Sequence, residues 1–307
     1  MKKNFFNDPQ HRFPMVSIII LTYETFDSIF FTLDTIEKQL YPNMEVIISD
    51  DASKNFPYAK TKQKLQSLMD KGVIISYQMR QNDHNLGIVA HANYAIKKYC
   101  KGKYIKLLSP GDGFCSPHAL GNLVELIKKT GAMVVTSPAY VYRAMHQDKF
   151  YQFPSPRIVR FLNRSTPHMV FILLSLSNVI SAVGTLYNRI YFDHSGFDSC
   201  YHHLDDWPNW LQLTNSGFSM PCATVPTVYY QLGGISSNDS KQIPQSYIQD
   251  LKLCYIKEIF ANRKNLPFWA RYLCCYKYQR LQNAKGIPFI TKYLPIILFH
   301  QLKRGFF

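Results

Sequence analysis

Two pairs of adjacent carboxylates, Asp50-Asp51 and Asp205-Asp206, are the residues of this sequence most suited to chemistry. The first pair ends a β-branched run, EVIIS, and is followed by Ala52-Ser53. A carboxylate there can accept hydrogen bonds from a uracil imide or a ribose hydroxyl. Asp and Ser also favour turns and helix N-caps, so both roles stay open. The second pair opens a helix-like run at Trp207. Either residue could cap that helix, and the positive helix N-terminus would keep a carboxylate ionised. A fifth carboxylate, Asp112, lies in Ser109-Pro110-Gly111-Asp112-Gly113, just after the apolar run KYIKLL. His194, His202 and His203 stand near the second pair, but none has i,i+4 helix spacing followed by a third ligand, which argues against zinc.

These residues need a scaffold, and the front half of the chain supplies a rhythm for one. β-branched runs begin at Val16, Glu45, Val73, Lys103 and Met133, at intervals of 29, 28, 30 and 30 residues. Helical periodicity fills the gaps: Ile29, Leu33, Ile36 and Leu40; Leu65 and Leu68; Ala92, Ala95 and Ile96; Leu123, Leu126 and Ile127. A strand–helix–strand unit takes about 30 residues, and continuous apolar strands belong to sheets covered on both faces. The spacing therefore predicts a doubly wound, mostly parallel α/β sheet whose ligand sits at the carboxyl ends of the strands. Thr22-Tyr23-Glu24 follow the first strand, Asp50 and Asp51 the second, and Asn82–Gly87 with Asn85 the third, ahead of a helix carrying His91 and Asn93. No G-x-G-x-x-G or G-x-x-x-x-G-K-[ST] loop is present, so carboxylates and a divalent metal are expected in place of a glycine-rich cradle.

Composition narrows the class. The chain has 307 residues, 47% hydrophobic and 18% charged, which is a globular balance. The net charge is +15, and it is uneven: residues 252–307 hold 11 Lys/Arg against the single acid Glu258. Basic and aromatic residues interleave in this tail, and Phe289–Phe299 with Lys292, Lys303 and Arg304 favours an anionic membrane surface over nucleic acid, for which no recognised fold signature is present. Seven cysteines without a Cys-x-x-Cys pair indicate neither a disulfide framework nor a zinc ribbon, and a reducing cytosol is expected. Met1–Phe13 lacks the apolar core of a signal peptide, and no run reaches the roughly 20 apolar residues of a spanning helix.

Taken in order, VSIIILTYE, EVIISDDAS, NDHNLGIVAHANYAI, GKYIKLLSPGD and HHLDDWPNWLQLTNSG resemble the inverting, nucleotide-sugar-dependent glycosyltransferases of family 2, which have the GT-A fold. The resemblance spans roughly Val16–Ser237. It implies that Thr22, Tyr23, Glu24, Asp50, Asp51, Asn85 and Asn93 form the nucleotide site, with an Asp accepting from the base. It also implies that Asp112 supports a divalent metal, Mn or Mg, and that Asp205 and Asp206 are the catalytic pair with Asp206 as base. Tyr229–Ser236 resembles the loop closing the catalytic domain near the diphosphate. The departures are Glu24 in place of the usual Asn, and a metal motif reduced to its last carboxylate; the Arg or His common near the Tyr229–Ser236 loop is also missing.

The resulting expectation is a GT-A-like catalytic domain over residues 1–240 and a basic, aromatic-rich helical C-terminal extension over residues 241–307. The expected reaction moves a sugar, with inversion, from a UDP-sugar to the hydroxyl of a lipid-linked saccharide in surface or capsular polysaccharide synthesis. The expected location is the cytoplasm, peripheral at the inner face of the cell membrane, with the tail on anionic lipid. Two rivals remain: a sugar-1-phosphate nucleotidyltransferase, which should show Gly and Arg after the first strand where TYETFDS has neither, and a catalytically silent binding partner.

Overall fold

The computed structural model describes residues 13–143, 146–233 and 243–283, with Lys292, Tyr293 and Ile296. Its centre is a six-stranded sheet built from β1 (Val16–Thr22), β2 (Met44–Asp50), β3 (Ser76–Gln81), β4 (Tyr104–Leu108), β6 (Val134–Val135) and β9 (Leu186–Asn188), in the order β3-β2-β1-β4-β9-β6. The β1, β2, β3 and β4 strands pair in parallel. Helices α1 (Ile29–Glu37), α2 (Tyr58–Asp70) and α3 (Ile88–Tyr99) connect them, and α4 (Ala119–Thr130) leads from β4 towards β6. This is the mostly parallel α/β sheet that the spacing predicts.

Side-chain alternation explains why the central strands read as unbroken apolar runs. In β1, Ile18 and Ile20 pack with α1, α2 and α4 on one face, while Ile19 joins the opposite core with Ile47 and Ala92. The β1 and β2 strands are buried on both sides, so polar alternation there would leave unpaired groups in one core or the other. Full burial of one such Ile contributes about 1.5–3 kcal/mol.

Three expectations need correction. The run at Val73 enters the sheet only at Ser76, because Val73–Ile75 still belong to the turn after α2. The run at Met133 does not pair with β4: the three-residue β9 lies antiparallel between them. Leu40 lies beyond α1 and is 66% exposed, so it does not join that helix's apolar face. Trp210 is wholly buried against Tyr187, as a core residue.

A second sheet, in the order β5-β10-β7-β8, is formed by β5 (Gly113–Phe114), β7 (Ala139–Arg143), β8 (His146–Phe153) and β10 (Val228–Leu232). Beyond it come α5 (Pro156–Arg164), α6 (Pro167–Leu176), α7 (Ile190–His194), α8 (Trp207–Asn215), α9 (Gln245–Cys254) and α10 (Phe268–Leu281). Cys254, Tyr255, Ile259, Ala270 and Cys274 from the C-terminal helices share one core with Ile19 and Ile47 of the sheet. The described part of the extension is thus packed onto the catalytic layer. No helix among the described residues is long and apolar enough to cross a membrane. Most of the tail's Phe289–Phe307 segment, and Gly234–Ser236 of the loop after β10, lie outside the described residues.

Candidate active site

The carboxyl ends of β1, β2 and β3 bring Thr22, Tyr23, Glu24, Asp50, Asp51 and Asn85 into one region. The Asp51 amide donates to the Thr22 carbonyl at 2.9 Å, and the Glu24 amide to Ser53 Oγ at 2.8 Å, so the first two loops are stitched together. Glu24 Oε1 accepts from the Lys54 amide at 3.1 Å. Glu24 (φ 52) and Ala52 (φ 68) both occupy the left-handed region. Asn enters that region more readily than Glu, so Glu24 adds backbone strain where Asn is usual.

Both carboxylates of the first pair are bound within the protein. Asp50 is fully buried; its oxygens accept from the Ser53 amide at 2.8 Å, Ser53 Oγ at 2.6 Å and Gln81 Nε2 at 3.0 Å. Asp51 accepts from Asn82 Nδ2 at 2.7 Å and from the amides of Leu86 at 3.0 Å and Gly87 at 3.1 Å. Asp50 therefore fixes its own turn, and Asp51 fixes the loop that leads into α3. Asn85 is exposed on that loop and accepts from the Gly87 amide at 3.0 Å. Asn93 points elsewhere: it donates to the Phe197 carbonyl at 2.7 Å and accepts from the Phe197 amide at 2.9 Å, tying α3 to the segment ahead of the second acidic pair. Tyr23 is 49% exposed, open to a flat ligand.

His91, one turn into α3, was not among the sequence candidates for the site. Its Nε2 lies 2.8 Å from Ser49 Oγ and its Nδ1 4.0 Å from Asp51 Oδ2. Burial lowers its pKa, against the pull of Asp51 and Asp50.

Asp112 stands at the end of β4 on a clamped loop. Thr32 Oγ1 donates to its carbonyl at 2.6 Å, and Tyr142 donates to the Gly111 carbonyl at 2.7 Å. Gly111 has φ +94, and a Cβ there would fall 2.1 Å from Gln231 Oε1, so this close turn requires glycine. The Asp112 carboxylate accepts from the Ser109 amide at 3.2 Å and the Gln231 amide at 3.3 Å. Nearby Lys106 is wholly buried and donates to the carbonyls of Leu107 and Val183. Burial pushes Asp112 up to about 7 and pulls Lys106 down to about 7, while their mutual attraction opposes both shifts.

Among the described residues no three His, Cys, Asp or Glu side chains form a metal-holding group. The donor set fits one arrangement: a hard cation carried mainly by the phosphates of a bound nucleotide, with Asp112 as a single protein carboxylate. A desolvated carboxylate that lacks a full counter-charge gains from such a cation.

The second acidic pair is built differently. Asp206 caps α8: its Oδ1 accepts from the Trp207 amide and its Oδ2 from Asn178 Nδ2 at 2.8 Å. The cap expected from sequence is therefore present, and a further donor comes from a segment 28 residues earlier. The Asp205 carbonyl accepts from Asn209 Nδ2. Burial, reinforced by the adjacent Asp206 charge, lifts the Asp205 carboxyl to about 7; burial raises Asp206 as well, countered by Asn178 and the Trp207 amide. Two buried carboxyls this near each other cannot both ionise at ordinary cost, so Asp205 keeps its proton to higher pH than an isolated carboxyl.

Sequence reasoning missed the residue that positions this pair. Asp250 on α9 is buried, and its Oδ2 accepts from the amides of His202 at 2.8 Å, His203 at 2.6 Å and Leu204 at 3.2 Å. The loop running into Asp205 is thus anchored by the C-terminal extension. Asp250 was legible only as one polar residue of a helical run. The His202 ring also abuts Gly87, where a Cβ would lie 2.6 Å from His202 Cε1. That contact brings the Asp51-held loop against the loop of the second pair.

Comparison with known proteins bears on the family and the fold. The family model for glycosyl transferase family 2 matches residues 17–195, more than half of the chain. The UDP-Glc:alpha-D-GlcNAc-diphosphoundecaprenol beta-1,3-glucosyltransferase WfaP of Escherichia coli is 22% identical over 235 residues, covering 75% of this chain and 82% of that protein. The crystal structure of S. aureus TarS 1-349 with UDP-GlcNAc superposes with a TM-score of 0.57 at 16% identity, covering 79% of this chain and 66% of that one. Against another crystal structure of S. aureus TarS 1-349 the chain spans 64% of that chain's length. The mannosyltransferase PcManGT of Pyrobaculum calidifontis, in complex with GDP-Man and Mn2+, gives a TM-score of 0.58 at 14% identity, covering 94% of this chain and 80% of that one. These likenesses bear out the GT-A fold read from the sequence, and the chain belongs to glycosyl transferase family 2.

Proposed function

We propose that this glycosyltransferase moves a sugar from a UDP-sugar to a hydroxyl of a lipid-linked saccharide, with inversion at the anomeric carbon. The observation that carries the reading is Asp206, fixed by Asn178 and the Trp207 amide beside a cavity of about 620 Å³ that Asn178 and Trp207 help to line. Asp206 takes the acceptor hydroxyl's proton as the new carbon–oxygen bond forms. The bond from the anomeric carbon to the diphosphate breaks on the opposite face, and UDP leaves with the electron pair. A base on a fixed side chain, with its pKa raised towards the working pH, suits that task. Asp205 keeps the pair's proton affinity high and holds α8 through Asn209.

Tyr23 and the loops held by Asp50 and Asp51 receive the nucleoside, with Thr22, Glu24 and Asn85 shaping the mouth. Asn93 holds the acceptor-side segment through Phe197. Asp112 would share a divalent ion with the donor's phosphates, and that ion would offset the charge of the leaving diphosphate. Support for UDP and for a lipid-linked acceptor comes from the printed activity of WfaP and the ligand of TarS. Support for a peripheral place at the inner membrane face comes from the same acceptor class and from the basic tail.

The test is transfer from UDP-glucose and UDP-GlcNAc to a diphosphate-linked GlcNAc lipid, with the product's anomeric configuration read by proton NMR. Inverted product, formed more slowly with excess chelator, supports the reading. Retained configuration, or no transfer from any nucleotide-sugar, overturns it, and full turnover in chelator removes the metal from it.

A further inference from the structure

The cavity beside Asp206 has a feature that proton removal does not use. It lies between the end of α6, the start of α8, α9 and α10, and its walls include Asn178, Trp207, Tyr247, Tyr276, Lys277 and Arg280. None of its lining residues is acidic. Lys277 is partly buried and its ammonium donates to the Leu176 carbonyl. Burial lowers its pKa, as expected of a cation without a counter-charge. Arg280, one turn further along α10, is exposed and lies 5.9 Å from the centre of the Tyr276 ring. Neither cation has an ion-pair partner among the described residues.

Lys277, partly buried without a counter-charge, gains from an anion in the cavity, and exposed Arg280 one turn along can reach the same anion. Spacing indicates which anion. Lys277 is tied to the carbonyl of Leu176, and Asp206 to the amide side chain of Asn178, two residues on. Ser177 between them is extended (φ −166, ψ 145). Two residues of extended chain put the anchoring Cα atoms of Leu176 and Asn178 at most about 7 Å apart, so the ammonium and the carboxylate are tied to one short segment and a single ligand can meet both.

We propose that Lys277 and Arg280 hold the diphosphate of a lipid-linked saccharide acceptor, so that a single sugar bridges from that diphosphate to Asp206. The proposal rests on the functional reading above and adds the acceptor's anionic group and the residues that select it. Trp207, Tyr247 and Tyr276 offer ring faces to the sugar and the first isoprenoid carbons. Charge on the acceptor thereby sets where its hydroxyl stands, and the base acts on the hydroxyl one ring away.

The experiment measures binding by intrinsic fluorescence, without turnover, for two probes: farnesyl-diphosphate-linked GlcNAc and the octyl glycoside of GlcNAc. The full-length protein is expected to prefer the diphosphate probe by about ten-fold or more, the size of one or two charged hydrogen bonds. Lys277→Met and Arg280→Gln should each erase most of that preference and leave octyl glycoside binding in place. Equal affinity of the wild type for both probes, or an unchanged preference in both variants, overturns the proposal. Should Lys277→Met fail to fold, exposed Arg280→Gln decides alone. Vesicles of phosphatidylglycerol form a separate arm: if Arg280→Gln weakens vesicle binding while the probe preference survives, the cations serve lipid headgroups and the proposal falls. UDP binding by the same wild-type sample keeps the two readings apart. Failure to bind UDP removes the glycosyl-transfer reading, whereas loss of the diphosphate preference alone removes only this one.

Discussion

The same dipeptide, Asp-Asp, occurs at the ends of two elements and acts oppositely in each. Asp50 and Asp51 are sealed into their loops by the Ser53, Leu86 and Gly87 amides and by Gln81, Asn82 and Ser53 side chains. Asp205 and Asp206 are desolvated together, which raises both, and the Asp206 charge adds to the rise at Asp205, to about 7. A carboxylate saturated by donors is a structural anion that shapes a pocket. A carboxylate facing another, with fewer donors, is a proton acceptor near working pH. What separates the two pairs is the supply of hydrogen-bond donors, and that supply comes from distant parts of the chain.

The largest expected effect is on the second pair. Asp206→Asn should fold and lose about 10²–10⁴ in transfer rate, the range for a missing general base, in a steady-state assay. If only the helix cap mattered, the loss would be about 1 kcal/mol of stability with chemistry intact. Asp205→Asn should be milder, and a variant order reversed from this would move the base to Asp205.

The first pair should answer in stability. Asp51→Asn leaves the Leu86 and Gly87 amides short of acceptors, so thermal unfolding should show a loss of about 1–3 kcal/mol. An unchanged melting temperature would mean that those amides find other partners.

The pH profile sharpens the comparison. Burial raises the Asp206 carboxyl above the usual carboxylate range, so transfer should fall on the acidic side at a higher pH than an ordinary carboxylate base would give. The unfolded Asp205 carboxyl titrates near 4, so its native value, raised to about 7, stabilises the fold most at acidic pH. That contribution is lost as pH rises through 7. Asp205→Asn removes the like charge, and the acidic limb of activity should move to lower pH. A limb that stays put would mean that another group, with Asp112 first in line, controls it.

The smallest effect lies in the turn after the first pair. Ala52→Gly should relieve the left-handed conformation and raise stability by about 1 kcal/mol or less. Destabilisation would indicate that the Ala52 side chain contributes packing that outweighs the strain.

Much of the scaffold could be read from residue order. Ile18, Ile19 and Ile20 announce a strand buried on both faces, and Leu33, Ile36, Ala92, Ala95 and Ile96 lie on the buried faces their spacing indicates. The second sheet was not legible. AYVYR and HQDKFYQF mix Tyr with charged and polar residues, so no continuous apolar run marks them. β9 is three residues long and too short for any periodicity. The strand-end residues are legible as site candidates because parallel sheets put ligands there. Asn178, Asp250 and Lys277 were not, because each acts through a contact made across 28 to 101 residues of chain. Their residue types carry no signal until the helices pack.

The central claim is that nucleotide recognition and proton removal are divided between the two pairs. Calorimetric titration of UDP into Asp51→Asn and Asp206→Asn tests it in one measurement. Asp206→Asn is expected to bind UDP with the wild-type Kd, and Asp51→Asn to bind more weakly by about 1–3 kcal/mol, roughly 5- to 150-fold. UDP affinity lost in Asp206→Asn, or kept at the wild-type value in Asp51→Asn, would contradict that division.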